Sequence, residues 1–343
     1  MRILVAGEWA DNAMEIPILA TWRELGHEVE IEVWPIGGQL LHHLSRFQQK
    51  VGNDYTLAGK LYNARIRRAM DRFKPDVFFV FKGMNVWEST LVQAKSAGIL
   101  RVNYNPDHPF IFSGRGSGNA IVRECIKHFD LHLTYSESVA SMLLAYGVRV
   151  KRVPFAYQLP KDWLSMKYQM QDEHSGAFIG NADSDRLHFM RSFLDGYGNT
   201  PFVIYGLGWG ALQKSYPGLE IRRPVFGDDF WRAMRSHRFQ LNLMRVHNLD
   251  SHNMRSVEAL SAGAITLQPF TPDHASWIRS GENGFLFSTW AEAAELAHVA
   301  MNMTAEQTAS MRERVENLSF GAVLSYPQMA MRMLEHVETI ESS

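Results

Sequence analysis

The feature that most constrains this chain is an alternation, run through twice, of short apolar runs bounded by turn residues with longer segments of helical period. An unbroken apolar run such as Val77 to Phe81 buries both faces of a strand, which is the signature of a parallel sheet covered by helices on each side. In the first half Arg2 to Ala6 reads as a strand, Asn12 to Leu25 as a helix stopped at Gly26, and His27 to Trp34 as a second strand. Thr56 to Phe73 is a helix, Asp76 to Phe81 a strand, and Ser89 to Ala97 a helix stopped at Gly98. Ile99 to Tyr104, Leu131 to Tyr135 and Lys151 to Phe155 continue the strands, the last two separated by a helix that Ser136 caps and Gly147 ends. The spacing after a polar stretch, Gln158 to Ser175, predicts a second cycle: strands at Gly176–Gly180, Pro201–Tyr205, Phe239–Met244, Ala264–Pro269 and Gly284–Phe287, with helices between them. With 343 residues there is room for two cores, so the expectation is α/β with two Rossmann-like domains, 1–160 and 174–320, followed by a terminal helix over 321–343.

In open parallel sheets ligands sit beyond the carboxyl ends of the strands, so the strand-to-helix loops carry the functional reading. One such segment is Asp250-Ser251-His252-Asn253-Met254-Arg255-Ser256-Val257-Glu258-Ala259-Leu260-Ser261-Ala262-Gly263. A helix opened at Ser251 would offer free backbone N–H groups and the positive end of its dipole to a phosphate. Arg255 adds a planar fork for bidentate phosphate contact, and Glu258, one turn on, can accept hydrogen bonds from a ribose diol. An exposed i, i+3 ion pair fits the periodicity equally well. A second segment is Phe178-Ile179-Gly180-Asn181-Ala182-Asp183-Ser184-Asp185-Arg186, where a glycine directly after a strand lets backbone approach a ligand. Asp183-Ser184-Asp185 reads as capping chemistry. Gly206 and Phe226 follow or flank later strands; Trp209 and Phe226, each taken alone, read more readily as closing a core.

In the first half Asn105-Pro106-Asp107-His108-Pro109 ends the fourth strand. A carboxylate at Asp107 could take the proton of an attacking hydroxyl, and His108 is a second candidate base, although Asn-Pro-Asp is also ordinary turn chemistry. Gly7-Glu8-Trp9 follows the first strand, and Ser113-Gly114-Arg115-Gly116-Ser117-Gly118-Asn119 reads as a glycine-rich loop without the ending of a phosphate loop.

The 250–263 stretch resembles the donor-binding segment of GT-B glycosyltransferases, in which a Glu-x7-Glu pattern precedes a small-residue turn and a strand. Asp250 takes the first acidic position and Glu258 the second, and Glu-Ala-Leu-Ser-Ala-Gly is similar to the group-one glycosyltransferase pattern. The Asn253-x-Arg255-x-x-Glu258 spacing also resembles CgeB-like enzymes and the bacteriophage DNA beta-glucosyltransferases. The resemblance implies a GT-B fold, two Rossmann-like domains facing across a cleft, with the terminal helix returning to the first domain. It implies a nucleotide diphosphate sugar, a UDP-sugar favoured, held by Gly180, Asn181, Arg186, Gly206, Phe226, Asp250, Ser251, His252, Asn253, Met254, Arg255 and Glu258. Arg255 would meet the diphosphate, Glu258 the ribose, and Gly206 and Phe226 the nucleobase. Asp107 matches the place of the catalytic base in the phage enzymes. A sugar epimerase of the same fold, or a non-catalytic nucleotide-sugar-binding protein, would use the same donor residues.

Composition sets the remaining bounds. With 35 basic and 36 acidic residues the formal net charge is -1, which argues against nucleic acid as acceptor and for a small molecule, glycan or protein. One cysteine, Cys125, excludes a disulfide framework and a cysteine-based metal site; no metal is indicated and no cofactor beyond the donor substrate is expected. Acids at Glu8 and Asp11 interrupt any secretory apolar region and no run is long enough for a membrane span, so the expected setting is cytoplasmic.

Overall fold

A computed structural model describes residues 1–8, 13–34, 54–111, 118–245, 250–318 and 324–341. Trp9, residues 113–117 of the glycine-rich loop and residues 321–323 of the expected last helix lie outside the described residues. The chain divides into two compact units, Met1–Pro154 with Tyr326–Ser343, and Phe155–Ser325.

The first unit is a six-stranded parallel sheet. Its strands are β1 (Arg2–Glu8), β2 (Glu28–Trp34), β3 (Val77–Phe81), β4 (Leu100–Asn105), β5 (Leu131–Thr134) and β6 (Val150–Arg152), in the spatial order β2-β1-β3-β4-β5-β6. Every residue of β3 is buried, as its unbroken apolar run requires of a central strand, whereas β2, at the edge, carries Glu28, Glu30 and Glu32 on alternate positions. The final helix, Tyr326–Glu341, belongs to this unit and packs on helix Glu15–Glu24, where the fully buried Trp22 donates its indole N–H to the Ala330 carbonyl at 2.9 Å.

The second unit repeats the plan with β7 (Glu173–Ile179), β8 (Phe202–Tyr205), β9 (Leu219–Arg222), β10 (His237–Leu241), β11 (Thr266–Pro269) and β12 (Phe285–Phe287), in the order β12-β11-β10-β7-β8-β9, all parallel. Its core is aromatic and aliphatic, with Phe178, Phe193, Tyr197, Phe202, Trp209 and Phe239 among its buried side chains. Gly176 exists because Phe239 lies over it: a Cβ there would stand 2.2 Å from that ring. β9, which the sequence pattern does not reveal, is four residues long and has only one buried side chain, Leu219.

Helix caps follow the residues that chemistry favours. Thr56, Asn119, Ser136, Asp183, Asn253, Thr271, Thr289 and Thr304 each accept a first-turn N–H with the side chain. Two expected boundaries are corrected, the second by this chemistry. β10 ends at Leu241 rather than Met244, and the helix expected from Ser251 begins at Met254, because Asn253 forms a reciprocal capping box with Ser256.

Candidate functional site

In each sheet the strand order reverses once, and at the reversal the loops diverge and open a crevice at the carboxyl ends. In the second unit the reversal falls between β7 and β10. The loop after β7 is stitched to that after β8. Ala182 N–H donates to the Leu207 carbonyl at 2.8 Å, Leu207 N–H to Asn181 Oδ1 at 2.9 Å, and the Trp209 indole to the Gly180 carbonyl at 2.8 Å. The backbones approach so closely that a Cβ on Gly206 would stand 2.0 Å from the Gly180 oxygen, and one on Gly180 2.9 Å from the Phe178 ring and 3.6 Å from an Arg186 nitrogen. Both glycines are thus required by packing. Asn181 spends its side-chain oxygen on this stitching, and Trp209 is a core residue.

Asp183 caps helix Ser184–Tyr197, accepting from Asp185 and Arg186 N–H groups, so this helix start is filled by its own carboxylate. The cationic character comes instead from side chains. Arg186 donates to the Asn181 carbonyl at 3.1 Å and lies against the Phe178 ring, while its Nε is buried without a partner among the described residues. Burial lowers the Arg186 pKa; Asp183 opposes that, and Arg245 and Arg255 reinforce it by repulsion. Arg245, the fourth residue after β10, has its Nε 3.8 Å from Asp183. Arg255 lies over the Phe230 ring at 4.4 Å and pairs with Glu258 at 2.6 Å. Three guanidinium groups from three segments therefore crowd one crevice. The sequence reading brings Arg186 and Arg255 together and misses Arg245, whose only signal is its place in the loop after β10.

Behind this crevice lies a buried polar network. Asn242 and Asn253 exchange two amide hydrogen bonds at 3.2 and 3.0 Å; Asn242 also donates to Ser256 at 3.0 Å and to Gln268 at 2.7 Å. His274 donates from Nδ1 to the Pro269 carbonyl at 2.7 Å, which leaves Nε2 to accept the Ser256 hydroxyl at 2.8 Å. These contacts fix the start of helix Met254–Ser261, leaving the N–H groups of Met254 and Arg255 without hydrogen bonds among the described residues. Ser251 and His252, expected to face the ligand, are turned inward: both are fully buried, each bonds Asp273, and His252 Nε2 accepts the Phe155 N–H at 3.1 Å. The short polar side chain and the imidazole serve as internal acceptors and donors for a loop that must turn inside the protein. Asp250 lies half-buried in the turn before them. Phe226, in contrast, is 71% exposed at the start of helix Gly227–Ser236, whose Phe230 carries Arg255.

In the first unit the reversal falls between β1 and β3. Here Lys82 extends between Asp107 at 3.5 Å and Glu8 at 3.9 Å, all three partly exposed. Asp107 N–H donates to Asn105 Oδ1, so the Asn-Pro-Asp turn orients the carboxylate. Glu15 is buried close by, and burial raises its carboxyl pKa while Lys82 pulls it back. The two candidate bases separate: Asp107 is open to solvent, whereas His108 is buried and its Nδ1 accepts the Phe110 N–H at 3.3 Å. Cys125 is buried with its thiol pushed up to about 12, the behaviour of a core residue. No group of three or more His, Cys, Asp or Glu side chains able to hold a metal ion occurs among the described residues, and no described helix is long and apolar enough to cross a membrane.

Comparison with known proteins bears on both sites. Residues 186–332 match the family model described as glycosyl transferase-like. Sequence comparison with curated proteins gives no match. Among solved structures, Anabaena HepE in complex with UDP-glucose is similar with a TM-score of 0.64 at 13% identity, covering 99% of this chain and 100% of that one. Sucrose-phosphate synthase from Thermosynechococcus elongatus gives 0.69 at 10% identity, covering 100% and 99%. A glycosyltransferase from Rickettsia africae gives 0.67 at 11% identity, covering 99% and 98%. With two parallel six-stranded α/β units and similarity to these structures over nearly its whole length, the chain has the GT-B fold, and its residues 186–332 are glycosyltransferase-like.

Proposed function

We propose that the chain transfers a sugar, a hexose in the favoured case, from a UDP-sugar to an acceptor hydroxyl. The observation that carries this reading is the convergence of Arg186, Arg245 and Arg255 at the crevice between β7 and β10, with a buried Arg186 nitrogen that lacks a partner among the described residues. Three convergent guanidinium groups, with Arg186 desolvated beside the glycine-stitched loop, suit a diphosphate better than a neutral ligand. Glu258, fixed by Arg255, has its second oxygen for the ribose diol, and Phe226 offers an apolar face to the base. The similarity to a structure containing UDP-glucose supports the choice of nucleotide, and the Asn253-x-Arg255-x-x-Glu258 spacing favours the CgeB-like branch.

In the reaction the acceptor oxygen bonds to the anomeric carbon while the bond from that carbon to the diphosphate oxygen breaks, its electron pair leaving with the diphosphate. The arginines offset the charge that develops there. The acceptor proton passes to Asp107. The test is a melting series with UDP, GDP, dTDP, CMP and ADP. UDP at about a hundredfold its Kd should raise the melting temperature by about 5–10 °C, and Arg186→Ala should remove most of that rise. No shift with any nucleotide would overturn the donor site.

A further inference from the structure

Only two non-glycine residues among those described have positive φ. Lys74, at φ 49°, ends helix Leu57–Phe73 in the left-handed cap that helices commonly use. Lys82, at φ 57°, caps no helix. It stands directly after β3, at the reversal of the first sheet, in a one-residue turn closed by Gly83 N–H donating across it to the Phe81 carbonyl at 2.7 Å. A three-residue turn with positive φ at its centre is rare, and it is strained when that residue bears a Cβ. Gly83 follows at φ 91°, so glycine is at hand one position later while lysine occupies the strained place. The turn is clamped by the next strand: Lys82 N–H donates to the Tyr104 carbonyl at 2.9 Å, and the Lys82 carbonyl accepts from the amides of Asn103 and Asn105, each at 3.4 Å.

Strain of this kind persists where the surroundings enforce it and where the side chain is needed. The Lys82 side chain delivers its ammonium into a cluster of acids: 3.5 Å from Asp107 Oδ2, 3.9 Å from Glu8, and near the buried Glu15. Asp107 Oδ1 has no partner among the described residues. We propose that Lys82 is a positioning residue for acceptor chemistry: the strained turn after β3 holds its ammonium on one oxygen of Asp107, fixing the carboxylate so that the other oxygen meets the acceptor hydroxyl. A flexible lysine on a relaxed loop would spread over Glu8, Asp107 and solvent, and the carboxylate would lose its orientation. The inference rests on the reading of Asp107 as the base.

The test uses the full chain with Lys82→Ala, which removes the ammonium and keeps the strain, Lys82→Gly, which removes both, Lys82→Arg, which keeps a cation, and Asp107→Asn. Turnover of UDP-glucose is followed, with water taking the acceptor's place where none is known, and melting temperature is measured without ligand. Lys82→Ala and Lys82→Gly should both lower kcat by about 10–100-fold with KM for UDP-glucose within about twofold, the cost of a misplaced group. Lys82→Arg should recover most of the rate. The Gly variant should melt about 2–5 °C above the Ala variant, a rise opposite in sign to its loss of turnover. A Gly variant no more stable than the Ala variant overturns the strain argument. Lys82→Ala at wild-type turnover while Asp107→Asn is inactive overturns this inference alone. Asp107→Asn at wild-type turnover overturns the base assignment and the inference with it, as does a wild-type chain that turns over no UDP-sugar.

Discussion

The carboxyl ends of the two sheets share a topology and differ in construction. Beyond β7 and β10 two of the arginines lie against aromatic rings, and the start of the helix that carries Arg255 is fixed by buried amides and hydroxyls, with Asn242, Ser256, Gln268 and His274 all almost wholly excluded from water. Beyond β1 and β3 the charged groups are a third to a half exposed and held by ion pairs longer than 3 Å, with the rigidity concentrated in one turn at Lys82. On the proposed roles, the difference follows from the ligands. A diphosphate is highly charged and always the same, so a site for it gains from preorganised, desolvated donors. An acceptor hydroxyl needs one carboxylate correctly aimed, and the remaining surface can stay wet.

The largest effect should come from breaking the network. Asn242→Leu, of similar shape, strands Asn253, Ser256 and Gln268 without a shared partner and should cost about 2–4 kcal/mol in urea unfolding. Lys82→Ala, removing part-exposed ion pairs only, should cost less than about 1 kcal/mol. Equal costs would erase the contrast between a buried support and a wet rim.

Acid should blur the contrast, because each unit buries a neutral imidazole. His132, held by the Ile126 carbonyl at 2.8 Å in the first unit, and His274 in the second are both pushed down to about 4 by burial. The unfolded chain binds these protons near pH 6.5, the native chain only near 4. Between those values the unfolded state therefore holds more protons, and stability falls as pH falls, by up to about 3 kcal/mol per histidine, with no change from this source above pH 7. Urea midpoints for the wild type and His274→Gln at pH 7 and pH 5 test this. The variant, less stable at pH 7, should lose less on acidification, and an equal loss in both would remove His274 from the cause.

What the sequence made legible follows from the range of the interactions that write it. Unbroken apolar runs announce strands buried on two faces, and Arg186 with Asn181 and Arg255 with Glu258 are legible as local pairs because their partners lie within five residues. β9 escaped because a four-residue edge strand with one buried side chain leaves almost no pattern. Arg245 meets Asp183, and Lys82 meets Asp107 and Glu8, only after crossovers bring distant loops together. The inward turn of Ser251 and His252 is hidden for the same reason: their partner, Asp273, lies about twenty residues on. Composition is equally silent on the direction in which a polar side chain turns.

Phe226 gives the smallest and most discriminating effect. In the sequence an aromatic near a strand end reads either as core or as a wall for a ring. At 71% exposed, with Leu207 at 62% after the neighbouring strand, it contributes little to the interior. If it supplies an apolar face in an otherwise polar site, Phe226→Ala should weaken UDP by about fivefold, close to 1 kcal/mol, and leave the ligand-free melting temperature within about 1 °C. If it closes a core, the free protein should lose stability and nucleotide affinity should be unmoved. The first outcome adds one aromatic to a donor site otherwise built of guanidinium groups and amides. The second would leave that site without an aromatic wall from the segment after β9, and base recognition would then fall to the Gly206 loop.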